Sequence, residues 1–319
     1  MGPVWAVLRT KRTRRVVNAV SIVLAVGLGY LTYRHFADTG WPFARADSRL
    51  IAASGLCFLL AYGFKALGWQ RLFAPHERPE PLALAAAGGA ACVTGAALPG
   101  RFDDVVRVAV VRRYPGTTSC VPTVCLSLFM LGLVDAAALM PLASTAAATS
   151  DTSAPIRAGL AVVAAGGLGA GLIMTFLPRL VLSGRLLRFR LTRWLHAHST
   201  TAREAWKAWV LVLASWVTRG VGLLFLLQAL GVSISIPMAI AFLCAGAASA
   251  ALPIAPAGAA TQAGAGAAIL IGSGLGAGQA VAFALAAQAL VIFAGAAVVL
   301  FAGAWEGGKR VTALRPSRA

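Results

Sequence analysis

Six apolar stretches long enough to cross a bilayer, at roughly 16–33, 50–68, 121–143, 157–177, 208–230 and 279–303, leave this chain few ways to fold. A helix needs about 20 apolar residues to span the hydrocarbon core, where every backbone polar group has to be satisfied internally. With 59% hydrophobic and 12% charged residues, the chain has too little polar surface to cover a soluble globule. It reads as an all-α polytopic membrane protein. The stretch at 16–33 follows Arg9, Lys11, Arg12, Arg14 and Arg15. It is long for a signal core and no small-x-small cleavage site with a mature soluble domain follows, so it is expected to be the first span rather than a secretory or twin-arginine signal.

Two further apolar regions are interrupted, 82–111 at Pro99-Gly100 and 237–275 at Pro253 and Pro256. The tetrapeptide Ala-Ala-Leu-Pro ends the apolar run in both, at Ala96 to Pro99 and at Ala250 to Pro253, 154 residues apart in a chain of 319. Pro/Gly-interrupted segments at corresponding places in two halves are a pointer to a transporter's substrate site.

Lys and Arg set the orientation. The N-terminus, the 65–80 segment with Lys65, Arg71 and Arg78, the 178–207 segment with seven basic residues, and the tail with Lys309, Arg310, Arg315 and Arg318 are expected to be cytoplasmic. Segments 34–48 and 144–156 are near neutral or acidic and face outward. The count closes if 82–111 enters from the cytoplasm and returns there, and 237–275 dips in from the outer face and returns. Six full spans plus two re-entrant hairpins then form an inverted-topology repeat, 16–144 against 157–304, within a single membrane domain. A basic N-terminus (1–15) and a cytoplasmic tail (305–319) flank it. The 178–207 linker, where Arg185, Arg188 and Arg193 interleave with Leu187, Leu191 and Trp194, has helical amphipathicity and is expected on the inner leaflet. The alternative is eight or more simple spans.

A formal charge of +18 points to nucleic acid in a soluble protein, but here the basic residues cluster between apolar segments, where they meet anionic headgroups. No nucleic-acid partner is expected. Nothing expected of a soluble enzyme is present: the four histidines build no Ser/His/Asp constellation, there is no nucleotide loop, and the run Gly272, Gly274, Gly276, Gly278 reads as a tight turn. Neither catalytic residues, nor a cofactor, nor a metal site is expected.

Ionisable residues at membrane depth are costly and so are candidates for function. Arg101, Asp103, Asp104 and Arg107 follow Pro99-Gly100 directly, with the aspartates at helical spacing from Arg107. Broken helices there expose dipole ends and backbone groups, a suitable cradle for an anionic headgroup. Asp135 in the third span and Arg219 in the fifth are candidate partners for each other, either in a site or as a neutralised packing pair.

Leu98-Pro99-Gly100-Arg101-Phe102-Asp103-Asp104-Val105-Val106-Arg107 resembles the Leu-Pro-Gly-Arg-x-Gly-Glu-x-x-Arg signature of the lysylphosphatidylglycerol synthase transmembrane region, a flippase-like membrane family. Leu252-Pro253-Ile254-Ala255-Pro256-Ala257-Gly258 is similar to that family's second Pro-x-x-Pro-Gly-Gly motif. The resemblance runs from Trp69-Gln70-Arg71 to the final span. There are departures. The family's Gly-Glu is Asp103-Asp104, a Glu-Arg pair expected before Asp135 is Gly132 and apolar neighbours, and an acid expected beyond Gly258 falls on Ala263, beside Gln262. The chain ends soon after the last span, so the aminoacyl-transferase domain of two-part members, and with it synthase activity, is not implied.

The resemblance implies a bacterial cytoplasmic-membrane protein that moves an anionic phospholipid or polyprenyl-linked lipid, with Arg101, Asp104 and Arg107 on the headgroup and the Pro253 to Gly258 hairpin as the outer gate. The alternatives are a non-transporting scaffold for an envelope glycosyltransferase or lipid synthase, and a small-solute secondary transporter. Lipid identity, coupling, partner and oligomeric state are not set by the sequence.

Overall fold

The computed structural model describes residues 34, 37, 46–97, 102–149, 153–181, 201–232, 235–251 and 258–313. The described residues form helices and turns and no strand. The helices are α1 (Ser48–Gln70), α2 (Pro81–Ala97), α3 (Phe102–Arg113), α4 (Val121–Thr149), α5 (Ala154–Val181), α6 (Ala202–Ala229), α7 (Ile236–Ala251), α8 (Gly258–Gly272) and α9 (Ala277–Ala313). Five of them, α1, α4, α5, α6 and α9, are long and apolar enough to cross a membrane. The first expected span, 16–33, lies outside the described residues. The two interrupted regions become the short helix pairs α2–α3 and α7–α8, none of them of spanning length.

Several boundaries differ from the expected ones, because a helix can run on past the stretch that its apolar character marks. α4 continues to Thr149, into the expected outer loop, and α9 to Ala313, into the expected tail. The expected linker 178–207 is shortened at both ends: α5 runs through Val181, and α6 starts at Ala202 with Thr201 accepting from the Glu204 amide at 3.4 Å, a Thr-x-x-Glu start. Residues 182–200 lie outside the described residues. The expected turn after α8 is present: Gly274, at φ 93°, lets the amides of Gly274 and Leu275 close on the carbonyls of Ile271 and Leu270, a Schellman ending that needs the left-handed region.

Polar contacts sort the helix ends into two groups. At one end Arg71 and Arg78, after α1, reach Glu204 in the first turn of α6 at 3.3 and 2.8 Å. Lys309, late in α9, lies 3.6 Å from Glu80, just before α2, and Tyr114, just after α3, donates to Glu306 of α9 at 3.1 Å. Burial and that bond push the Tyr114 phenol up to about 12, so it stays a donor at neutral pH. The start of α2 and the end of α3 therefore stand beside the same last turns of α9. At the opposite end the Asp47 amide donates to the Ala229 carbonyl at 3.3 Å, and Gly272, closing α8, faces Ile156 in the first turn of α5.

α1 and α6 form the central contact, and it is reciprocal. A side-chain carbon on Gly68 of α1 would meet Ala208, Leu211 and Val212 of α6, and one on Gly222 of α6 would meet Ser54, Cys57 and Phe58 of α1. Shifting Ser54, Cys57, Phe58 and Gly68 by 154 gives Ala208, Leu211, Val212 and Gly222. Ser215 donates to the carbonyl of Ala61 at 2.8 Å, and these two residues are themselves 154 apart. Contacts of i with j matched by j with i are what a two-fold interface produces. The outer packing follows suit, with α2 against α9 and α7 against α4.

Candidate functional site

The α1–α6 contact carries charge. Tyr62 and Lys65 stand one helical turn apart on α1, and Trp216 and Arg219 stand the same distance apart on α6. Each cation lies over the other helix's ring: Lys65 Nζ is 5.5 Å from the centroid of Trp216, and the Arg219 guanidinium carbon is 5.7 Å from that of Tyr62. Arg219 also lies 5.1 Å from the Trp216 ring. Both rings and both cations are related by the same shift of 154. Cation–ring contacts contribute roughly 0.5–2 kcal/mol each, more where water is excluded.

Asp135 enters this arrangement from the middle of α4, about 21 Å along the helix from either end at 1.5 Å per residue. Its carboxylate lies 2.7 Å from Lys65 Nζ and accepts from Trp216 Nε1 at 3.0 Å. The expected Asp135–Arg219 partnership is therefore replaced by Asp135–Lys65, and Arg219 rests on ring faces instead. Lys65, which the charge count assigned to the cytoplasmic surface, is a member of the site. The signal that locates it is an aromatic-x-x-cation motif repeated at the tetrapeptide's own spacing.

The hairpin cluster is ordered by α3. Arg107 reaches Asp104 at 2.8 Å and Asp103 at 3.7 Å, so the expected internal pairing forms. The acids in the first turn of α3, and Arg112 and Arg113 in the last, complement the helix dipole. Pro99, Gly100, Arg101, Pro253 and Pro256 lie outside the described residues. Gly258 opens α8, and Gln262, half-buried on α8, faces Gly246 of α7.

Beside α3, toward α4, runs an open groove of about 870 Å³. Val105, Val108, Leu128 and Phe129 line it, with Asp104 at one end and Arg112 and Arg113 at the other. Its size lies within the roughly 300–1,000 Å³ of small-molecule sites. Among the described residues no three His, Cys, Asp or Glu side chains gather as a metal site requires.

The family model for the lysylphosphatidylglycerol synthase TM region matches residues 18–299. The chain belongs to this family. The match covers all five long helices up to the last part of α9, and both short pairs, so the cluster lies inside the family's domain. No curated protein and no solved structure matches this chain. Among the described residues of this multi-pass helical membrane domain, charge gathers at the helix ends, on α3, and in the Lys65–Asp135–Arg219 group.

Proposed function

We propose that this protein is a non-enzymatic lipid transporter that moves an anionic or polyprenyl-linked lipid across the bacterial cytoplasmic membrane. One observation carries the reading: two cations over aromatic faces, and one carboxylate paired with the first of them, lie together where α1, α4 and α6 meet. Intramembrane charges of this kind mark ion and substrate pathways. A site at an interface between halves is where alternating access places a substrate.

The topology we infer with it is an inverted repeat with two re-entrant hairpins and both termini cytoplasmic. The reciprocal α1–α6 contact supports it, as do the α2–α3 pair starting and ending beside the last turns of α9 and the exchange of α2 onto α9 and α7 onto α4. The basic end, with Arg71, Arg78, Arg112, Arg113 and Lys309, would face the cytoplasm. In this reading the headgroup passes Arg107 and the central cluster while its chains stay in the bilayer. A gradient, or consumption of the lipid on arrival, would supply the drive.

The test is reconstitution into vesicles with fluorescent phosphatidylglycerol and measurement of its inward and outward movement by dye quenching. Protein-dependent movement, reduced at least tenfold by Lys65→Met with Asp135→Leu, is the expected result. Movement no faster than in protein-free vesicles, for phosphatidylglycerol and a polyprenyl phosphate alike, would remove the transport reading.

A further inference from the structure

We propose that Arg219 is a binding site for the phosphate of an anionic lipid, which takes on the second half of the cluster the place that Asp135 takes on the first. The shift of 154 relates Tyr62 and Lys65 to Trp216 and Arg219. It does not bring a second carboxylate. The same shift carries Asp135 to Ala289, a half-buried position on α9. From Ala277 to Trp305 that helix has no Asp or Glu at all. The first half is complete with ammonium, ring and carboxylate. The second has guanidinium and ring only.

Arg219 is left with donors to spare. It makes neither an ion pair nor a hydrogen bond with any described residue, and its contacts are the faces of Trp216 and Tyr62. Ring faces engage the flat face of a guanidinium, whereas its five N–H groups lie in its plane and point past the rings. Arg219 stands about 15 Å along α6 from Ala229 and about 25 Å from Ala202, away from both helix ends. An in-plane fork of donors at that depth suits a phosphate, which accepts bidentately, better than a halide or a single carboxylate oxygen. The choice of a lipid as the phosphate's carrier rests on the transport reading above. The vacant acid position lies on α9, which has no Asp or Glu from Ala277 to Trp305.

Thermal unfolding of the purified full chain in neutral detergent, followed by tryptophan emission, tests this with three probes: phosphatidylglycerol, phosphatidylcholine and inorganic phosphate. Phosphatidylglycerol should raise the wild-type midpoint by roughly 5 °C at saturation, phosphatidylcholine and inorganic phosphate by much less. Arg219→Gln should lose that increment, and Arg219→Lys should keep only part of it. Ala289→Asp, which restores the missing carboxylate, should raise the lipid-free midpoint and abolish the increment. An undiminished increment in Arg219→Gln overturns the proposal, and so does an equal shift from inorganic phosphate, which would make the ligand a free anion. If Ala289→Asp does not fold, the two Arg219 variants decide. A lipid increment that depends on Arg219, in a protein that moves no lipid in vesicles, would leave this site standing and remove transport. Lipid movement with an increment indifferent to Arg219 would do the reverse.

Discussion

Lys65 Nζ lies 2.7 Å from Oδ2 of Asp135, tying α1 to α4. The two side chains are only 24% and 21% exposed, so each neutralises a charge that the site could not otherwise hold. Lys65→Met alone strands the carboxylate and should destabilise the protein by roughly 3 kcal/mol, at the low end for breaking a buried pair because some solvent reaches it. Lys65→Met with Asp135→Leu should recover at least half of that loss. Arg219→Leu, which strands no carboxylate, should cost less than Lys65→Met. Midpoints in detergent check all three, and equal damage from the single Lys65 change and the double would show that Asp135 does not depend on Lys65.

Gly89 of α2 and Gly295 of α9 meet backbone to backbone. A side-chain carbon on Gly89 would run into the Gly295 carbonyl, and one on Gly295 would lie 3.0 Å from the Tyr62 hydroxyl. Close approach of this kind lets helices associate in lipid, where apolar burial between them contributes little. Gly89→Val should therefore push α2 off α9, with a loss of roughly 1–3 kcal/mol, and should disturb the Tyr62 ring that carries Arg219. Gly166→Val, at a position where added bulk meets nothing within 4 Å, is the control. The two should separate clearly in the fraction of monodisperse protein after heating.

Ala-Ala-Leu-Pro carries the 154-residue spacing that the α1–α6 contact repeats, and the five long helices were legible because a run of about 20 apolar residues has one stable form in lipid. The cluster's membership was not. Positive-inside counting weighs a lysine by its place in the sequence and is blind to depth, so Lys65, near the end of an apolar run and ahead of Arg71 and Arg78, was counted with the surface. Asp135 and Arg219, the charges within full spans, then read as partners for each other, although Lys65 completes the carboxylate at 2.7 Å. The start of α6 lies ahead of the expected span because Thr201 caps it on the Glu204 amide, a signal that hydropathy does not carry. The breaks at Pro99-Gly100 and at Pro253 and Pro256 lie outside the described residues, so the expected roles of Arg101 and of the Pro253 to Gly258 gate stay at the level of sequence.

If both short pairs return to the side from which they start, accessibility is fixed on each side. Single cysteines at Thr117, after α3, and at Ser273, after α8, in a cysteine-free chain should be labelled by a membrane-impermeant maleimide from opposite faces. Thr117 should react only in inside-out vesicles and Ser273 only in right-side-out cells. Labelling of both positions from one face would require an odd number of crossings between them beyond those of the re-entrant scheme.

Arg107 answers to Asp103 and Asp104 at once, at 3.7 and 2.8 Å on two different guanidinium nitrogens. A planar fork can hold two carboxylates, or exchange one of them for a phosphate, without turning. An ammonium in the same place is a point charge on a shorter reach. Arg107→Lys should thus leave expression and membrane insertion near wild type, since the positive charge at i+3 and i+4 from the acids is kept, while reducing co-purified anionic lipid severalfold. Arg101→Lys is expected to act in the same direction. Arg112→Lys is the comparison that matters, because Arg112 lies in the last turn of α3 at the end of the groove, where a lysine serves the helix dipole as well as an arginine does. Lipid content measured by mass spectrometry after identical purification should fall for Arg107→Lys and change little for Arg112→Lys. Equal retention in the two would assign Arg107 to holding the first turn of α3 together, and would move the headgroup contact from the hairpin to the groove or to Arg219.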